Sequence, residues 1–163
     1  MKMNTEDLFD FNVHMSEIYL HEIANMINKH NCEILGLLNI PYKQGAYEDK
    51  LVYVDIYRLK EVIDNIIDNA IKYGDHKCIA VDFYEEDFHT IIRIQNTGEL
   101  LHEHDVVNIF QSFYRGKNIG KQKGNGLGLY ICKQLMKQMN GDIFLTQEDH
   151  YVTFHIVLDY IAK

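Results

Sequence analysis

Glu61, Asn65, Asn69 and Lys72 recur at intervals of four, four and three residues. On a helix, at 100° per residue, those four side chains fall within about 80° of one another. Asparagine costs up to about 0.7 kcal/mol against alanine inside a helix, and no capping position explains either asparagine. A stripe of amide oxygens, one carboxylate and one lysine could hold a hydrated Mg²⁺ and its phosphates. Magnesium takes few hard oxygen ligands and keeps several waters. The same stripe also reads as a solvated helix face.

A second cluster lies later in the chain. Gly116, Gly120, Gly124, Gly126 and Gly128 fall within 13 residues, interleaved with Arg115, Lys117, Lys121 and Lys123. Glycines let backbone approach a ligand closely, and a helix starting near Leu127 would aim free N–H groups at whatever precedes it. Together these suit a polyphosphate, and a loop this long is more often a lid than a connector. A plain exposed loop is the other reading. The pattern is not a Walker loop: Gly116 to Lys121 is one residue short, and Gln122 stands where Ser or Thr would meet Mg²⁺. Nor is it a dinucleotide fingerprint, because Gly124-Asn-Gly126-Leu-Gly128 follows a loop and not a strand. Two further features are Asn96-Thr97-Gly98, at the end of an apolar run, and Phe110 with Phe113 in Ile109-Phe-Gln-Ser-Phe-Tyr-Arg115. Taken alone, the first is a turn and the second is core or partner-facing.

The elements that must position these residues follow from patterning. The clearest helix is Asp55 to Tyr73, capped by Asp55 and stopped by Gly74, with Ile56, Leu59, Val62, Ile63, Ile66, Ile67, Ala70 and Ile71 as its apolar face. Ser16 to Lys29 is predicted as an amphipathic helix capped by Ser16. Leu8 to Val13, Ile34 to Ile40 and Val52 to Val54 are predicted strands, and Pro41 to Gly45 a polar turn. Cys78 to Tyr84 and His89 to Gln95 form one hairpin, Ile143 to Gln147 and Tyr151 to Leu158 another. Between them, short and longer helices cover Asp105 to Phe113 and Leu127 to Asn140. This order predicts an α+β fold: a two-layer sandwich, its mixed, mostly antiparallel sheet carrying helices on one face.

Composition bounds the rest. The 163 residues suit one domain that needs no metal or disulfide staple. A net charge of −8 disfavours duplex nucleic acid or an anionic membrane as partner. Cys32, Cys78 and Cys132 match no zinc spacing and read as reduced thiols in a cytosolic protein. No apolar run approaches a membrane span and no signal peptide opens the chain.

Order and spacing together make the chain resemble the ATP-binding catalytic domain of sensor histidine kinases, in the superfamily of Bergerat-fold (GHKL) ATPases. Val62 to Tyr73 is similar to the family's N box, Asn96-Thr-Gly98 to its G1 box, Ile109 to Arg115 to its F box, and Gly124 to Ile131 to its G2 box. Gly141-Asp-Ile143 and Val152-Thr-Phe154 match the closing strands, so the likeness spans nearly the whole chain as one domain, residues 1–163, with 115–126 as the ATP lid.

The resemblance implies ATP and Mg²⁺ as ligands. Asn69 would coordinate the metal and Asn65 support it. Lys72 and Arg115 would meet phosphate, together with lid lysines such as Lys123. Tyr73 would flank adenine. Gly98, Gly124, Gly126, Leu127 and Gly128 would shape the pocket and the lid, and Thr153 would assist at the base. Much of the family places an Asp where Asn96 stands, to accept from the adenine amine. An amide oxygen can accept that bond too, but carries no charge and can flip. Hydrolysing members carry a glutamate at the position of Asn65. An amide cannot take a proton from water, so transfer to another acceptor is favoured over hydrolysis.

That acceptor is expected to be a histidine on a separate helical hairpin, docking near Phe110 and Phe113, with a response regulator downstream. The resemblance is compatible with a dimeric, membrane-anchored parent protein, and the sequence does not decide whether the parent spans a membrane. His21-Glu22-Ile23 is superficially similar to the acceptor motif, but only 43 residues separate His21 from Asn65. That leaves no room for the hairpin, so His21 is expected to be an ordinary residue of the first helix and the hairpin to be absent from the chain. A serine kinase of the anti-sigma type, or a degenerate nucleotide-binding module, are the alternatives within the fold.

Overall fold

The computed structural model describes residues 12–111 and 128–159. Among them are strands β1 (Ser16–Tyr19), β2 (Tyr42–Gln44), β3 (Leu51–Val54), β4 (Ile79–Glu86), β5 (His89–Thr97), β6 (Asp142–Glu148) and β7 (Tyr151–Leu158). The helices are α1 (Leu20–Leu37), α2 (Ile56–Tyr73), α3 (Glu103–Asn108) and α4 (Gly128–Gln138). One sheet runs β2-β4-β5-β7-β6, with β2 parallel to β4 and every other pair antiparallel; β1 and β3 form a separate antiparallel ribbon. Ile79, Val81, Ile92, Ile94, Val152, Phe154, Ile156, Ile143 and Leu145 turn one face of the sheet into a single core with the helices. The expected α+β sandwich is therefore observed. No helix among the described residues is long and apolar enough to cross a membrane.

Helix α2 forms as its sequence dictates. The Asp55 carboxylate accepts from the N–H groups of Tyr57 and Arg58 at 3.0 and 3.2 Å, satisfying two of the first-turn donors. Its other oxygen accepts from His14 N at 2.8 Å. Leu59, Val62, Ile63, Ile66, Ile67 and Ala70 are buried, and a fully buried Leu, Val or Ile side chain stabilises by roughly 1.5–3 kcal/mol. Both predicted hairpins are present. The first closes through Asp87 and Phe88 at φ 50° and 67°, the double left-handed geometry of a type I′ turn.

The beginning of the chain differs from expectation. Ser16 does not cap a helix: Ser16–Tyr19 is a strand, because it pairs with Leu51–Val54 across the ribbon. Asn12 and Val13 belong to no strand, and Leu8 to Phe11 lie outside the described residues. Ile34–Ile40 is not a strand either, since α1 runs on to Leu37. The helix ends in a Schellman closure. Ile40 N donates to Leu35 O at 2.9 Å and Asn39 N to Gly36 O at 3.2 Å, with Asn39 at φ 57°. Leu35 and Ile40 are buried together beneath it while Leu37 is 81% exposed, so the apolar run is a helix end folding onto itself. Tyr42–Gln44, expected in a turn, is the edge strand β2. The short helix α3 stops at Asn108; Ser112 and Phe113 lie outside the described residues.

Candidate functional site

Helix α2 and strands β5 and β7 border an open cleft lined by Asn69, Tyr73, Asn96, Glu99, Leu101, Ile109, Val152 and Phe154. Its floor is apolar because Val152 and Phe154 point from β7 toward the helices and Ile109 closes over them. Three of the residues singled out in the sequence, Asn69, Tyr73 and Asn96, come from two segments and meet here.

Asn96 is 8% exposed. Its Nδ2 donates to Thr97 O at 3.1 Å. A carbonyl only accepts, so the amino end of the amide must face it, which leaves Oδ1 as the atom offered to a ligand in the cleft. The amide that could flip in the sequence is held one way in the structure. Gly74 makes this packing possible: a Cβ there would lie 2.9 Å from Asn96 Nδ2 and 2.5 Å from Ala70 O. Gly98, at φ 153°, packs against Gly74, and its N–H donates to His150 O at 3.0 Å.

Asn65 sits one turn before Asn69, at the seam between α2 and α4. It hydrogen-bonds the Cys132 thiol, which is wholly buried and whose pKa burial pushes up to about 12. The Cys132 thiol also lies 3.7 Å from Val62 O. That thiol stays protonated and is a packing and hydrogen-bonding group, not a nucleophile. Lys72 is paired with Asp68 at 3.0 Å on the exposed side of the helix. A surface pair of this kind is worth about 0–1 kcal/mol, so Lys72 can exchange it for another anion at little cost. Glu61 is likewise paired with Arg58, at 2.9 Å.

Thr153 faces away from the cleft. Val152 and Phe154 take the cleft face of β7, so strand alternation puts Thr153 on the other face. There its hydroxyl accepts from Gln95 Nε2 at 3.1 Å, and it does not line the cleft. Phe110 is half-buried and turned inward, edge-on to Phe154 at 6.1 Å and beneath Lys133 Nζ at 5.5 Å; Val107, 80% exposed, presents apolar surface on α3. His21 is the second residue of α1, with Nδ1 2.7 Å from Asp49 Oδ2. Gly128 opens α4, and a Cβ added to it would have nothing within 4 Å. Arg115, Lys123, Gly124, Gly126, Leu127 and Phe113, with the rest of the expected lid, lie outside the described residues.

The sequence reading did not mention Asp75, named Thr97 only as the middle of Asn96-Thr97-Gly98, and read Cys132 only as a reduced thiol. Thr97 Oγ1 donates to Asp75 Oδ1 at 2.6 Å, and the Thr97 hydroxyl holds the Asp75 carboxyl below the usual carboxylate range. Asp75 follows the stop glycine of α2 and Thr97 follows Asn96, so their juxtaposition was visible only once β5 had been placed beside the end of α2.

Residues 54–161 match the family described as histidine kinase-, DNA gyrase B-, and HSP90-like ATPase. The chain is 36% identical over 96 residues to the sensor histidine kinase RcsC of Escherichia coli strain K12, covering 58% of this chain and 10% of that protein. It is 36% identical over 101 residues to the sensor histidine kinase WalK of Bacillus subtilis strain 168, covering 59% of this chain and 16% of that protein. The chain thus spans a small fraction of the curated relatives it matches. In fold it resembles the nucleotide-free catalytic domain of histidine kinase ThkA, with a TM-score of 0.76 at 24% identity over 90% of this chain and 97% of that one.

Proposed function

The chain belongs to the histidine kinase-, DNA gyrase B- and HSP90-like ATPase family, and from that premise we propose that it binds Mg·ATP and transfers the γ-phosphate to a histidine on a separate helical hairpin. The observation that carries the reading is the cleft itself. Asn96 offers an acceptor, Tyr73 and the Val152–Phe154 floor are apolar surface for a base, and Asn69 lines the same cleft, with Asn65 and Lys72 on the same helix.

The donor set suits magnesium. Among the described residues, no group of three or more His, Cys, Asp or Glu could hold a metal. A cation here would rest on the amide oxygen of Asn69, with Asn65 in support, and on the nucleotide's own phosphates and water, as Mg²⁺ prefers. When bound, Mg²⁺ would neutralise charge on the triphosphate. The chain's own residues would position and bind: Lys72 would meet phosphate, Tyr73 would flank the base, Arg115 and Lys123 would reach the outer phosphates, and Gly124, Gly126 and Gly128 would shape the lid and the helix N-terminus. Catalysis of this kind is positioning with charge stabilisation. Asn65 is an amide held by a protonated thiol, and neither group can take a proton from water. This supports transfer over hydrolysis.

The domain would work in the cytoplasm, where ATP is, within a longer kinase that passes its phosphate to a response regulator. The hairpin would approach across α3, where Val107 is exposed beside Phe110.

The test is labelled ATP with this chain, with and without a separately expressed acceptor-histidine hairpin at high concentration, since docking without a covalent tether is weak. Acid-labile phosphate on the hairpin is expected, with little ATP hydrolysis by the chain alone. Acid-stable phosphate on a partner serine would point to the serine kinases of this fold, and brisk hydrolysis without transfer would overturn the reading.

A further inference from the structure

We propose that Asp75 and Thr97 form a latch that fixes which edge of Asn96 a bound base meets, making the cleft selective for a base with an exocyclic amine over one with a keto oxygen. This deepens the assignment of the cleft as a nucleotide site and rests on it. Asp75 lies outside the cleft on the exposed connection between α2 and β4, so it acts as a positioning residue, through Thr97 and then Asn96.

Every link is a hydrogen bond. The Thr97 carbonyl accepts from Asp75 N at 3.1 Å and from Asn96 Nδ2 at 3.1 Å, which uses both of its lone pairs. The Thr97 hydroxyl donates to Asp75 Oδ1 at 2.6 Å, and the same oxygen accepts from Lys77 N at 3.0 Å. Asp75 therefore grips residue 97 by backbone and side chain at once and sets the direction of its carbonyl. That direction decides the orientation of the Asn96 amide, whose two ends are nearly equal in shape and opposite in hydrogen-bonding sense. Released, the amide can turn by 180° and present Nδ2, which suits a 6-keto base as well as Oδ1 suits a 6-amino base. A carboxylate at position 96 would set an oxygen against the Thr97 carbonyl. The amide and the latch are thus parts of one arrangement.

The probes are Mg·ATP and Mg·ITP, which differ at the base by an amine against a keto oxygen, titrated calorimetrically into the full chain. Wild type should prefer ATP by about tenfold or more, the range set by one well-made hydrogen bond against a mismatched buried pair. Thr97→Val and Asp75→Ala should narrow that preference by about three- to tenfold, losing ATP affinity and holding or gaining ITP affinity. Thr97→Ser and Asp75→Asn keep the donor and an acceptor and should retain the preference. A merely structural role would weaken both nucleotides alike, and an unchanged ATP-to-ITP ratio in Asp75→Ala would overturn the latch. Asp75 is exposed, so that variant carries the test even if Thr97→Val fails to fold. Equal binding of the two nucleotides by wild type would also overturn it, with the cleft assignment intact. Binding of neither would overturn both.

Discussion

Gly74→Ala separates the steric role of a glycine from its conformational one. Gly74 sits at φ −80° and ψ 173°, a backbone any residue adopts, so alanine suffers no dihedral penalty. The obstacle is space: the added Cβ would lie 2.5 Å from Ala70 O, 2.9 Å from Asn96 Nδ2 and 3.3 Å from Thr97 O. The first neighbour is backbone and cannot swing away. Ala70 O also accepts the Gly74 N–H at 2.9 Å to close α2, so relief means opening the last helical turn. Overpacking of this sort costs about 1–3 kcal/mol. Alanine offsets about 0.4–1 kcal/mol of it by restricting the unfolded chain. The net loss is then up to about 2.6 kcal/mol, or up to about 10 °C in melting temperature for a domain of this size. Because the displaced atoms include the Asn96 amide, Mg·ATP affinity should fall as well. The control is Gly36→Ala in α1, where nothing lies within 4 Å of the new Cβ; that change should be neutral or stabilise by up to about 1 kcal/mol. Thermal unfolding followed by circular dichroism, with calorimetric titration of Mg·ATP, reads both effects. A Gly74→Ala protein that melts with or above wild type and binds nucleotide unchanged would refute the steric argument.

Stability should also fall on acidification. His155 is buried between Tyr84 and Thr146, stacked on Phe144, and its pKa is lowered by burial and then by the nearby Arg93, against an opposing pull from Asp82. The unfolded imidazole takes up a proton near pH 6.5 and the folded one only at lower pH, so stability drops as pH falls through the unfolded value and is unaffected by this group above it. Urea unfolding at pH 7.5, 6.5 and 5.5 should show the decline in wild type and a shallower one in His155→Gln; parallel curves would refute it. Asn69→Ala should lose most Mg²⁺-dependent ATP affinity while keeping the wild-type melting temperature, and titration with and without Mg²⁺ checks this; an unchanged affinity in the folded variant would remove Asn69 from the site.

What the sequence revealed about the fold was local. Helix α2 was legible because an uninterrupted 3.6-residue pattern lies between a capping Asp55 and a terminating Gly74. The β4–β5 and β6–β7 hairpins were legible because strand, turn and strand are adjacent. Strand β1 was not, because Ser16–Tyr19 is a strand only through pairing with residues 51–54, and its own residues run smoothly into the helix that follows. The end of α1 misled for a different reason: Ile34 to Ile40 has the composition of a buried strand, and only the left-handed Asn39 reveals a helix terminus. In the site, the helical stripe could be read from spacing alone. Thr153 could have been excluded on the same grounds, since the apolar Val152 and Phe154 flanking it claim the inward face. The Thr97–Asp75 contact had no sequence signal, because 22 positions separate its partners.

The way the sheet is sewn together bears on how the molecule folds. Each hairpin is closed by a two-residue turn, so β4 can meet β5, and β6 can meet β7, within a few residues of chain. The central pairing of β5 with β7, Thr90 to Leu158 at one end and Thr97 to Tyr151 at the other, instead requires everything between the two hairpins to be looped out first. Folding speed should be governed by that one long closure, as non-local pairing slows folding generally. The enclosed stretch, which holds α3, the glycine–lysine segment and α4, is correspondingly tolerant of length. Closure entropy grows only as the logarithm of loop size, so doubling the length of an enclosed loop costs about 0.6 kcal/mol. Insertions or deletions between α3 and α4 would therefore slow the docking of two preformed hairpins slightly and leave the register of the sheet untouched.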